Sequence, residues 1–410
     1  MRKLLQVTCI FLSLVACKKE ADDAEETSNI SANSSINLTT SYHVYAQPSN
    51  FFYTNLSTIF QSVHGGYFTQ EFSARAFYDF DKDGDLDLIA ASFMTDQNVP
   101  IDAHYYKNNG GVYQKDQSVF NGSVPGFVHA RQAILADFDK NGWMDVAIIA
   151  HGYDKEPFPG EKQKVLMNFN GKFTTKEVPL PSTPRLPYTH SGCAGDIDND
   201  GDIDLFYTAN MVNVKGIFMK NDGSGNFTYD AKVFSSDITL TYFSSGIYDL
   251  NQDGYLDLVL GGHDNDKQIA QNPQTSAKPT ILWGSSTGKY TLTNSTLLPV
   301  VKDYGATYNV NFLDFNNDSK VDILLTKTGD GTSLSFYQGY YVQLLKNNGG
   351  NSFTDVTITN MGSYRNDNVS NWILWLRPHD IDGDGDVDIT SEDKFEPHEW
   401  ININGIFTKR

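Results

Sequence analysis

The chain has little cysteine, little positive charge and no long apolar run. Three cysteines in 410 residues cannot staple a fold of this size. Stability must therefore come mainly from a packed core. The 31 Lys and Arg stand against 50 Asp and Glu, for a formal charge of −19. That balance excludes nucleic acid as a partner and disfavours binding to anionic membrane by charge. The longest mostly apolar stretch, Leu4 to Leu14, is too short to span a bilayer. The sequence carries no nucleotide-binding glycine loop, no Gly-x-Ser-x-Gly and no zinc-type His/Cys cluster, so no catalytic residue is assigned by motif.

Aromatic residues are plentiful at 13%, which points to packed β structure. The acidity is also unevenly placed. Of the 50 acidic residues, 24 fall in six short loops built on one pattern. The loops are Asp79-Phe-Asp81-Lys-Asp83-Gly84-Asp85-Leu-Asp87, Asp137-Phe-Asp139-Lys-Asn141-Gly142-Trp143-Met-Asp145 and Asp196-Ile-Asp198-Asn-Asp200-Gly201-Asp202-Ile-Asp204. The other three are Asp249-Leu-Asn251-Gln-Asp253-Gly254-Tyr255-Leu-Asp257, Asp314-Phe-Asn316-Asn-Asp318-Ser319-Lys320-Val-Asp322 and Asp380-Ile-Asp382-Gly-Asp384-Gly385-Asp386-Val-Asp388. Successive loops start 58, 59, 53, 65 and 66 residues apart.

A curled loop with oxygen donors on alternate residues suits calcium, which takes six to eight oxygens. Side chains at positions 1, 3, 5 and 9, with the carbonyl of position 7, supply them. Glycine at position 6 allows the sharp turn. An EF-hand needs Glu at position 12 and flanking helices. Here position 12 holds Ala90, Ile148, Tyr207, Leu260, Leu325 and Ser391, so that reading fails in every copy. Loop five is expected to be the weakest of up to six calcium sites, because Ser319 replaces the glycine and Lys320 adds a positive charge.

Each loop runs into a short apolar segment such as Val146-Ala-Ile-Ile-Ala. Most are then followed by a segment such as Tyr105-Tyr-Lys-Asn-Asn-Gly or Phe218-Met-Lys-Asn-Asp-Gly, which reads as a hairpin. The order strand, loop, strand, strand, turn, strand predicts one four-stranded antiparallel blade of an all-β propeller. These units resemble the FG-GAP/VCBS repeats of integrin-α-type β-propellers over about residues 72 to 410. The resemblance implies calcium loops between the first and second strands of six blades. Seven blades are favoured over six, with residues 41–71 as a lean, metal-free first blade or a closing strand.

The N-terminus divides into a signal peptide at 1–16, a lipidated Cys17 with a flexible tether at 17–40, and the propeller at 41–410. Leu14-Val15-Ala16-Cys17 resembles the bacterial lipobox, and the charged run after it resembles surface lipoproteins of the Bacteroidetes. The expected location is the outer membrane or cell surface, with the lipid as the only membrane contact.

In integrin-like blades ligands meet the face opposite the calcium loops. The residues expected there are Arg75, His129, Arg131, His151, His190, Asn210, Tyr242, His263, Tyr304, Trp372 and Trp375. Aromatic faces with polar donors suit a glycan or protein ligand, so a non-enzymatic binding or adhesion module is the leading expectation. A polysaccharide lyase using His and Tyr at the channel mouth is the alternative. Cys193 is expected to be a buried small hydrophobe.

Overall fold

The computed structural model of the protein describes residues 74–91, 98–179, 186–209, 216–238, 242–262, 277–329, 338–367, 372–373, 375–391 and 398–410. The expected signal peptide, Cys17, the expected tether and the stretch 41–71 lie outside them. Six antiparallel blades stand among the described residues, each with four strands in order, the fifth with a short extra strand, Arg365–Asn366, on its third. The seventh blade expected from 41–71 falls outside.

Blade one is Ala74–Tyr78, Asp87–Ala91, His104–Asn109 and Val112–Lys115. Blade two is Ala130–Ala136, Asp145–Ala150, Lys164–Phe169 and Lys172–Glu177. Blade three is Gly192–Gly195, Asp204–Tyr207, Ile217–Asn221 and Phe227–Tyr229. Blade four is Ser244–Tyr248, Asp257–Gly261, Thr280–Leu282 and Ser295–Leu297. Blade five is Ala306–Leu313, Asp322–Thr328, Tyr340–Gly349 and Ser352–Asp355. Blade six is Leu376–His379, Asp388–Ser391, Glu399–Ile403 and Ile406–Lys409.

First strands of successive blades pack against one another, so they are the inner strands. A blade buried on both sides needs apolar residues on both faces of its strands. Blade two shows how this works. Val146, Ile148 and Ala150 pack into the core shared with blade one, while Ala147 and Ile149 pack into the core shared with blade three. The period of two sorts one continuous apolar run into two separate cores. Cys193 is buried in the core between blades three and four, and burial raises its thiol pKa to about 12.

Every aspartate loop connects an inner strand to the second strand of its own blade. Strands on both sides confirm that none of these loops is an EF-hand. The last aspartate of each loop is fully buried. One of its oxygens accepts the N–H of loop position 2, and the other accepts an N–H from the third strand or, in blade four, from Gly284 just beyond it, at 2.6–3.2 Å throughout. This carboxylate therefore pins the loop to its own sheet.

Two further sets of bonds join neighbouring blades. The third-strand asparagines Asn168, Asn221, Asn347 and Asn402 each donate to the position-8 carbonyl of their own loop. Each also donates to the position-2 carbonyl of the preceding blade: Phe80, Phe138, Leu250 and Phe315, at 2.7–3.0 Å. Position 4 reaches the other way. Lys82 donates to Gly142 O (2.8 Å), Lys140 pairs with Asp202, Gln252 donates to Ser319 O (2.9 Å) and Asn317 to Asp386 (2.7 Å). These position-4 residues all have positive φ, from 55° to 61°, which aims them sideways.

Candidate functional site

In each loop the first aspartate accepts the N–H of position 6, and in the first five loops also that of position 5, which curls the loop around it. Position 6 has φ of 82–97° at its five glycines and 65° at Ser319, so the serine does take the strained left-handed turn. The carboxylates of positions 1, 3 and 9 then converge. Asp79/Asp81/Asp87, Asp137/Asp139/Asp145, Asp196/Asp198/Asp204 and Asp380/Asp382/Asp388 each bring one oxygen apiece within 4.8 Å of one another. Loops four and five carry Asn251 and Asn316 at position 3, with Asp249 and Asp257, and Asp314 and Asp322, around them.

The donors are oxygens only, as a hard cation requires. Asp81 Oδ1 and Asp198 Oδ1 are buried without a hydrogen-bond partner, which a cation would supply. Burial pushes Asp87 up to about 6, and Asp145, Asp204, Asp257 and Asp322 up to about 7. A positive ion beside them restores their charge. The acidic loops thus fit an ion.

At position 5, Asp83, Asn141, Asp200, Asp253, Asp318 and Asp384 each accept the N–H of position 7. Position-7 side chains turn elsewhere: Asp85 accepts from Gly110 N–H, Asp386 from Asn404 N–H, and Lys82 lies over the Trp143 ring. This leaves the position-7 carbonyls of these residues, and of Asp202, Tyr255 and Lys320, as the backbone donors to consider.

The structure also shows a feature that the sequence reading missed. Lys107 pairs with Asp81 and Asp83, Lys220 with Asp198 and Asp200, and Lys346 with Asp318. The equivalent residues in blades two, four and six are the uncharged Met167, Trp283 and Ile401. Every second loop therefore holds a cation of its own.

On the opposite face, rings from five blades follow one another. Centroid separations are 3.7 Å for His129–His151, 5.0 Å for His151–His190, 3.9 Å for His190–Phe243, and 5.4 Å for both Phe243–Tyr308 and Tyr308–Trp372. Arg131 lies over Tyr308, 5.1 Å from its centroid. Blades two and five are not neighbours, so this contact spans the axis. Each partner sits at a β-bulge, between Ala130 and Gln132 in one blade and between Thr307 and Asn309 in the other. A bulge re-aims a side chain, and here two bulges aim at each other.

Trp375 packs with Phe243, Tyr308 and Trp372. Its Nε1 is buried with no acceptor among the described residues. Tyr242 instead packs into the core between blades three and four. Tyr304 is buried, bonded to Asp367 and packed on Tyr341. Arg75 lies opposite Ala90 on blade one's inner strand, outside the run of rings. Asn210 and His263 lie outside the described residues. Burial holds His129 and His151 well below the usual histidine pKa, with Arg131 adding to the effect, so both rings are neutral at pH 7. Tyr188, Phe243 and Tyr308 were not expected here. Phe243 is one residue from the expected Tyr242, and Tyr308 owes its place to the bulge.

Among the described residues no helix is long and apolar enough to cross a membrane. No curated protein matches the chain. Among solved structures it is similar to an Agrocybe aegerita lectin, described by its recognition of non-reducing terminal N-acetylglucosamine. That likeness has 16% identity, covers 84% of this chain and 81% of that one, and has a TM-score of 0.49. It is also similar to the Photorhabdus luminescens Tc holotoxin pore (15% identity, 83% of this chain and 14% of that chain, TM-score 0.41). A third is the V. cholerae biofilm matrix protein Bap1 (10% identity, 83% and 80%, TM-score 0.37). The family described as FG-GAP-like repeat matches residues 79–148, 196–260 and 249–325, the segments that hold the first five aspartate loops. With those loops joining the first two strands of four-stranded blades, the chain is a β-propeller of FG-GAP-like repeats.

Proposed function

We propose that this protein is a calcium-stabilised binding module, held to a membrane through a lipidated Cys17, that takes a glycan or protein ligand on the face opposite the aspartate loops. The observation that carries this reading is the run of rings from His129 to Trp372, with two bulges turning Arg131 and Tyr308 toward the axis. Half-buried Tyr188 and Trp372 offer ring faces at its margin, and Trp375 adds an indole N–H. Aromatic faces with a few polar donors are what a sugar or peptide site needs. Calcium is supported by the oxygen-only loops, and lipidation by the Leu-Val-Ala-Cys sequence at residues 14–17.

The test is a glycan array with the purified chain, repeated with Trp372→Ala and Tyr188→Ala. Binding should appear with the parent chain and fall at least tenfold in both variants. Equal binding by all three proteins would remove the site from this face. For the anchor, Cys17→Ser should release the protein from membranes or leave it unprocessed. Partition with membranes after a carbonate wash would refute lipidation.

A lyase is the second reading, favoured by His151 stacked on Tyr188 at 4.4 Å, a pair able to move a sugar α-proton. Incubating any glycan hit with the protein and following the absorbance of unsaturated products decides between capture and cleavage.

A further inference from the structure

His129, His151 and Asp154 each place one donor atom within 4.8 Å of the other two. They come from two segments of blade two. His129 immediately precedes the inner strand, and His151 and Asp154 follow the second strand. The segments are locked together by backbone and by a buried acid. His151 N–H donates to His129 O at 3.0 Å. The Glu161 carboxylate accepts the N–H of Val128 at 3.0 and 3.1 Å and that of His129 at 3.3 Å. Gly152 and Gly160 meet so closely that a Cβ on Gly152 would stand 2.4 Å from Gly160 O. The cluster is thus preformed, which a metal site requires.

The individual donors are also oriented. His151 Nδ1 lies 2.8 Å from Gly152 O. A carbonyl only accepts, so Nδ1 carries the proton and Nε2 keeps its lone pair. A ligating histidine commonly has this outer bond to a carbonyl. Tyr188 stacks on the His151 ring and bonds Asp154 Oδ1, which leaves Asp154 Oδ2 for another partner. His129 and His151 are buried, whereas Asp154 is exposed and gives a way in from solvent.

We propose that His129, His151 and Asp154 form a site for a divalent transition metal of the zinc class. Two imidazole nitrogens suit such metals and do not suit calcium, so the site is chemically separate from the aspartate loops. Three protein ligands leave a further coordination position for water or a bound molecule. The proposal rests neither on the calcium reading nor on the glycan reading. One charged neighbour opposes it: Arg131 Nη1 lies 3.4 Å from His129 Nε2. The metal must share that space with the guanidinium, so removing this charge tightens binding.

The experiment uses the full chain, stripped with EDTA and returned to calcium on the order of 1 mM so that the aspartate loops are occupied. Zn2+ is then titrated in by calorimetry. One equivalent is expected to bind. His151→Gln and Asp154→Ala should each weaken it at least tenfold, and Arg131→Gln should strengthen it. Because Asp154 is exposed, its replacement should leave the melting temperature in calcium unchanged, so a loss in that variant reports the site and not the fold. Co2+ in place of Zn2+ should give visible d–d absorption that the Asp154→Ala variant lacks. Zinc affinity unchanged in Asp154→Ala, or no zinc bound by the parent chain in calcium, overturns the proposal.

Discussion

Lys107 and Lys220 each sit on two carboxylates of a five-aspartate loop, and Ile401 stands in their place beside loop six. A tethered ammonium occupies space and charge that an incoming cation must win. Loop six, with five aspartates and no lysine, should therefore be the tightest calcium site. Loop five should be the weakest, since Ser319 is strained and Asp318 faces both Lys320 and Lys346. Lys107→Met is expected to raise the calcium affinity of loop one severalfold, read by calorimetry. Replacing the first aspartate by alanine also removes backbone acceptors, so the informative quantity is the calcium-dependent part of the loss. That difference between melting in calcium and in EDTA should be largest for Asp380→Ala and near zero for Asp314→Ala. Equal differences would mean that the lysines and the glycine do not set affinity.

At the level of strands and turns, the Asn-Gly element proves to do more than turn a hairpin. Its asparagine is a buried clasp between blades. Asn221→Ala would leave the Phe138 and Ile203 carbonyls without their donor, at a cost of about 1–3 kcal/mol. Asn108→Ala is the control. Among the described residues its amide N–H groups reach Leu86 O, which Tyr113 also serves at 2.7 Å, and Tyr113 Oη, both within its own blade, so it should lose less. Urea denaturation of the two variants measures the difference, and an equal loss would show that the inter-blade bond contributes nothing.

The blades were legible because the aspartate spacing and the apolar runs both recur in the sequence. The inter-blade clasp was not, because the preceding blade's carbonyl leaves no trace in the spacing. The same limit applies on the opposite face. His129, Arg131, His151, His190 and Trp372 lie along the run of rings, yet Tyr242 and Tyr304 pack elsewhere. One residue of phase turns a strand residue to the other face. The bulges that bring in Arg131 and Tyr308 contain no glycine to announce them. His129, His151 and Asp154 are likewise brought together by the fold, across a separation that matches no metal motif.

For the molecule as a whole, ion binding should be a large part of stability. At about 1 mM calcium and ~0.1 mM affinity, each site adds roughly 1.4 kcal/mol. A few such sites rival the roughly 5–15 kcal/mol of an ordinary domain. Excess EDTA should therefore lower the melting temperature markedly, and calcium should restore it better than magnesium. An unchanged melting curve would exclude calcium from the loops.

The six loops are not equally joined. Position-4 contacts and asparagine clasps tie one to two, two to three, four to five and five to six. Among the described residues neither kind crosses from blade three to blade four. Gly284 stands where the clasping asparagine would be, and Tyr290, wholly buried, fills that junction and bonds Leu256 O at 2.8 Å. The loops thus form two trios, each interlocked by these contacts, while blades three and four are joined away from the loops, by Thr208 Oγ1 to Phe243 O at 3.2 Å and Tyr290 N–H to Val233 O at 2.8 Å. An ion lost from one trio is felt by its own members first, and hydrogen exchange after partial chelation should open the trios one at a time.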